Sequence, residues 1–115
     1  MLVIAAVLFA LAAVIGLTMA YIYFSKKRLP PFALALLHGV FAATALILLL
    51  WTVLRTHAGG LFAWALGIFV VAAFAGFFLF SYHIRGKSLP APGVLVHASL
   101  AVTAFLLLLA GLLGF

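Results

Sequence analysis

Four histidines, His38, His57, His83 and His97, carry most of the titratable and ligating chemistry of this chain. It has no Asp, no Glu and no Cys. Paired-carboxylate acid/base catalysis, a carboxylate metal site, a thiolate nucleophile and a disulfide are therefore excluded within it. Two of the histidines stand out by spacing. PFALALLHGVFAATALILLL, starting at Pro31, aligns with PAPGVLVHASLAVTAFLLLL, starting at Pro90, at an offset of 59 residues, and nine of twenty positions are identical. His38 and His97 each follow their aligned proline by seven positions, and Thr44 falls on Thr103. The same offset puts Tyr23 on Tyr82, Lys26 on Arg85 and Arg28 on Lys87, while the first and third apolar runs otherwise match poorly. Leu and Ala match by chance in such a composition. The Pro, His and Thr matches carry the inference of a duplicated helical hairpin, whose two copies enter a membrane in the same sense.

Seven residues at 1.5 Å each place these imidazoles about 10 Å inside their helices. An ionisable group at that depth in a membrane points to function. In a bundle connected in order, the second and fourth helices are diagonal, with axes roughly 11–14 Å apart. A direct imidazole–imidazole hydrogen bond spans that poorly. A metal with two axial imidazoles, at about 2 Å per bond, spans it well. Haem b needs only two protein ligands, because the porphyrin supplies the other four nitrogens; a bare ion would need donors this chain lacks. The expectation is one haem b with His38 and His97 as its axial metal ligands. The second nitrogen of each ring is expected to donate to a carbonyl one turn earlier, near Leu34 or Gly93. Ala42 and Ala45 follow His38, and Ala101 and Ala104 follow His97, at helical spacing. Taken alone each set reads as a small-residue helix contact; beside the His pair it makes a flat wall for a macrocycle. Gly16 and Gly76 are expected to admit the macrocycle's edges. Arg28, Arg85 and Lys87, with Lys26 and Lys27, are the cations available to its propionates.

The elements that must hold this pair follow from composition. Of 115 residues, 71% are apolar and only six are charged, all Lys or Arg. A soluble domain carries about a quarter charged residues. The chain reads as an all-α integral membrane four-helix bundle, one domain over 1–115, with repeat units 1–56 and 60–115. Its apolar runs are about 2–24, 32–54, 61–82 and 91–115, each long enough to cross a bilayer. Pro31 and Pro92 sit near helix starts, and Gly59 and Gly60 permit the middle turn. The first and third breaks carry five Lys/Arg and the second carries one. Segments 25–31 and 83–90 are therefore expected on the cytoplasmic side, with both termini opposite, in a bacterial inner membrane. The first run is expected to be a retained helix rather than a cleaved signal, despite an A-x-A pattern at Ala10 to Ala12. The net charge of +6 is split among the breaks and forms no basic face, so nucleic acid is not an expected partner. His57 and His83 read as interfacial, as do Trp51, Trp64, Tyr21, Tyr23 and Tyr82. Thr44 and Thr103 should bond carbonyls within their own helices. Phe74, Phe77, Phe78 and Phe80 suit packing or lipid.

At His38 and His97 the chain resembles the transmembrane b-type cytochromes, which hold haem in a four-helix bundle by axial His pairs. The resemblance implies an electron-transfer subunit, without catalysis of its own, among other membrane subunits of a redox complex. The large respiratory cytochrome b pattern has a second His about fourteen residues along each ligand helix. Those positions here are Thr52 and Gly111, so only one haem is implied. The length is similar to that of the small multidrug transporters, but their essential Glu in the first helix is absent. Disulfide-exchange membrane enzymes are excluded by the lack of Cys. The rival readings are a cofactor-free structural or assembly subunit of an energy-transducing complex and a chlorophyll-type pigment-binding subunit.

Overall fold

The computed structural model describes all 115 residues and contains four helices and no strand. They are α1 (Leu2–Lys26), α2 (Phe32–Thr56), α3 (Leu61–Ile84) and α4 (Ala91–Leu112), all long and apolar enough to cross a membrane. The bundle measures 42 × 20 × 19 Å. The first three helices run about a turn or less beyond the apolar runs. The backbone ladder continues through Ser25–Lys26, Arg55–Thr56 and His83–Ile84, because ending it would leave amides and carbonyls unpaired at the membrane surface. The fourth stops earlier, before Gly114 at φ 88. Pro31 and Pro90 sit at the N-caps of α2 and α4, where a missing N–H costs nothing.

These helices are apolar on all sides, so few of their residues are buried by the protein itself. Phe74 and Phe77 are each 69% exposed and Trp64 is 68% exposed. Such a surface is stable only against lipid. Within the bundle α1 packs closely on α2 and α3 on α4, and the two hairpins meet along thinner α2–α3 and α1–α4 seams. The helices left diagonal are α1 with α3 and α2 with α4. Their inner faces are built from Ala5, Phe9 and Ala12 on α1 and Ala65, Phe69 and Ala72 on α3, with Ala45 and Leu49 on α2 and Ala104 and Leu108 on α4. Phe9 and Phe69 stack across one diagonal with centroids 3.8 Å apart and planes 2° from parallel.

The core residues correspond at two different offsets. On α2 and α4 the offset is 59, as the histidines require. On α1 and α3 it is 60, which brings Ala5, Phe9, Ala12, Ala13 and Gly16 onto Ala65, Phe69, Ala72, Ala73 and Gly76, all identical. The one-residue difference falls in the turns 27–31 and 85–90. A single offset therefore hid the likeness of the first and third helices. It also misplaced one pair: the counterpart of Tyr23 in the fold is His83, not Tyr82. Tyr23 Oη donates to Leu89 O at 2.8 Å, and His83 Nε2–H donates to Pro30 O at 2.8 Å. Leu89 and Pro30 are themselves 59 residues apart, so these two bonds are one contact made twice.

Candidate metal centre

Position in the helix decides where each imidazole goes. His38, Ala42, Ala45 and Leu49 form one stripe of α2; His97, Ala101, Ala104 and Leu108 form its copy on α4. Ala45, Leu49, Ala104 and Leu108 are wholly buried, so the stripe faces inward along its length. The two imidazoles therefore enter the bundle from diagonal helices, at the same level, on the side nearer the basic turns. Their ring centroids are 6.1 Å apart and their planes 78° from parallel.

Each ring is oriented by the neighbouring helix of its own hairpin. His38 Nδ1–H donates to Ala12 O at 2.7 Å, and His97 Nδ1–H donates to Ala72 O at 2.8 Å. The anticipated partners near Leu34 and Gly93 are not used. Backbone carbonyls inside a helix already accept from the amide four residues on, and the side chain that follows normally shields them. Gly16 and Gly76, four residues beyond Ala12 and Ala72, lack that shield. A Cβ built at Gly16 would lie 3.0 Å from His38 Cε1, and one at Gly76 would lie 3.0 Å from His97 Cε1. The glycines thus seat the imidazoles. The Ala-x-x-x-Gly pairs at 12–16 and 72–76 are readable in the sequence at the offset of 60.

A carbonyl can only accept, so Nδ1 carries the proton and Nε2 of the neutral ring keeps its lone pair. Neither Nε2 makes a hydrogen bond, and neither is a sealed buried atom. Both imidazoles are thus oriented with one nitrogen occupied and one available, the arrangement that second-shell bonds impose on metal-bound histidine. Two imidazoles on opposite sides of one metal, at about 2 Å per bond, have ring centroids roughly 6 Å apart. The donor set fits a metal that brings its own equatorial ligands. It does not fit a bare ion, because no cluster of three or more His, Cys, Asp or Glu exists.

The remaining candidates lie apart from the pair. Arg85 turns back on its own helix: its Nε donates to Ser81 O at 3.1 Å and its guanidinium lies 4.8 Å from the centre of the Tyr82 ring. Arg28 lines a groove with Lys27, and Lys87 is exposed in the other basic turn. His83 is half-buried against Phe32 and Phe80, and its Nδ1 is sealed without a partner. His57 is exposed at the opposite end, capping α2 at φ 52. Thr44 and Thr103 donate to Val40 O and Ser99 O within their helices, as their positions suggest. No protein-family model, curated protein or solved structure matches the chain.

Proposed function

We propose that the protein is a membrane-embedded electron-transfer subunit holding one haem b between His38 and His97. One observation carries the reading: two imidazoles 6.1 Å apart, each fixed through Nδ1 and each with an unbonded Nε2. A bis-imidazole haem supplies reversible one-electron oxidation and reduction of its iron. The chain's own residues would do the rest. His38 and His97 would hold the group through Nε2 and leave its metal no open site for oxygen or substrate. The Ala12 and Ala72 carbonyls would hold the rings in one tautomer. The seam between the hairpins is the plane in which a flat group would lie, with one hairpin supplying each ligand. Arg28, Lys87 and, by leaving Ser81, Arg85 are the cations nearest the end where propionates would emerge. A pigment pair is less well served, because two stacked macrocycles need a wider gap than these rings leave.

The orientation belongs to the same proposal. The basic turns lie on the cytoplasmic side of a bacterial inner membrane, and further membrane subunits of a redox complex deliver and remove the electron. In cells, Gly59→Cys should react with an impermeant maleimide added from outside and Ser25→Cys should not. The opposite pattern reverses the orientation.

The deciding experiment is the optical spectrum of the protein purified from haem-replete cells. A low-spin spectrum with sharp reduced α and β bands is the expected result, unchanged in His57→Ala. A packing role is the second reading, favoured by the fact that each imidazole already ties its hairpin together through a carbonyl. Absence of a Soret band from folded protein, loaded with its partners present, selects that second reading.

A further inference from the structure

A second site lies at the basic end, on the surface of the bundle. A groove of about 360 Å³ runs between the first and third turns, lined by Tyr23, Phe24, Lys27, Arg28, Leu29 and Ser88. Two adjacent cations and a hydroxyl face it, and Phe24 and Leu29 supply its apolar wall. Neither cation has an acid partner, and none can exist within a chain that lacks Asp and Glu.

The backbone at Lys27 decides which substitution can test the groove. It caps α1 at φ 56, ψ 39, a left-handed conformation that disfavours any side chain except glycine's. In the second basic turn the left-handed residue is Gly86, at φ 64, one position beyond the α3 cap Arg85. One copy thus uses the residue that the backbone prefers, and the other keeps a lysine there against that preference. The two halves differ in the neighbouring arginine as well. Arg85 is taken up by Ser81 and Tyr82, whereas Arg28 makes no hydrogen bond or ring contact within the chain.

From this juxtaposition we propose that the groove binds the phosphate of an anionic phospholipid, with Lys27, Arg28 and Ser88 as donors and Phe24 and Leu29 against the glycerol and upper acyl chain. The level is right for a headgroup, because the groove opens where the apolar length of α1 ends. Cations at that level attract anionic lipid. A free phosphate would satisfy the donors but leave the apolar wall without a partner. The site does not rest on haem binding, although Arg28 also stands among the cations at the end where propionates would emerge.

The test uses the full chain in neutral detergent doped with equal amounts of phosphatidylglycerol and phosphatidylcholine, read by native mass spectrometry. The wild type should retain phosphatidylglycerol several-fold over phosphatidylcholine. Lys27→Gly with Arg28→Gln should abolish that preference while keeping the fold, because glycine suits the left-handed position. The matched control, Lys26→Gln with Lys87→Gln, removes the same charge from outside the groove and should keep the preference. Equal loss in both double variants would reduce the effect to general charge and overturn the site. Displacement of the lipid by millimolar inorganic phosphate would assign the groove to free anion and overturn the lipid reading. Retained preference in Lys27→Gly with Arg28→Gln would overturn it outright.

Discussion

The two diagonals of this bundle are built for different ends. Across α1 and α3, Phe9 meets Phe69 ring on ring, both nearly buried, among Ala45, Leu49, Ala104 and Leu108, none of which has any exposed surface. Across α2 and α4, nearer the basic turns, His38 meets His97 at 6.1 Å, both rings half-buried and each with a free nitrogen. In lipid there is little hydrophobic drive between helices, so van der Waals packing must hold the bundle. The phenylalanine layer provides that packing. The histidine layer gives some of it up, because two half-buried polar rings pack less fully than two buried phenyl rings. Duplication supplies both layers, since one Phe, one His, one seating Gly and one carbonyl per hairpin make a pair of each.

The sharpest way to break the comparison is to exchange the defects. His38→Ala or His97→Ala should remove the low-spin haem spectrum entirely, and between haem-free proteins should shift unfolding by only about 1 kcal/mol, the scale of one lost hydrogen bond. If either variant keeps six-coordinate low-spin haem, the histidine layer is not the ligand site. Phe9→Ala or Phe69→Ala should do the reverse, lowering stability by about 2 kcal/mol while leaving haem coordination in place. That value is below the usual core cost because lipid replaces water as the reference environment. Thermal unfolding in detergent alongside the spectrum reads both quantities on the same sample.

Finer changes test how the histidine layer is held. Gly16→Ala and Gly76→Ala each put a methyl 3.0 Å from an imidazole Cε1, so the ring must give way and its bond to Ala12 or Ala72 must lengthen. The expected result is lower haem occupancy and a shifted potential, with a stability cost of about 1 kcal/mol. An unchanged potential would show that the carbonyl does not tune the ligand. The smallest effect belongs to Thr52, the one polar side chain buried in the phenylalanine half, whose hydroxyl bonds Leu48 O in its own helix. Thr52→Val should change stability by about 0.5 kcal/mol or less, with no spectral effect.

Much of this was legible in the sequence because bilayer length and helical spacing are strong constraints. The four spans, the equal depth of His38 and His97, and the inward stripe His38–Ala42–Ala45 all follow from counting residues. The partners of the imidazoles did not follow. Ala12 and Ala72 act through their carbonyls, so their side chains give no sign of the role, and only the absent Cβ at Gly16 and Gly76 exposes those oxygens. The Phe9–Phe69 stack was hidden for another reason. Among twelve phenylalanines in apolar helices, inward and lipid-facing rings look alike until the register between hairpins is known. That register is offset by one residue between the two helices of each copy.

Tyr23 to Leu89 and His83 to Pro30 run from each hairpin to the turn of the other, so the basic end is strapped twice, crosswise. A large rigid group entering from that end meets both straps together, and parting the hairpins far enough to admit it breaks both. The end that carries the charges is thereby also the end at which the two hairpins are tied to each other through side chains.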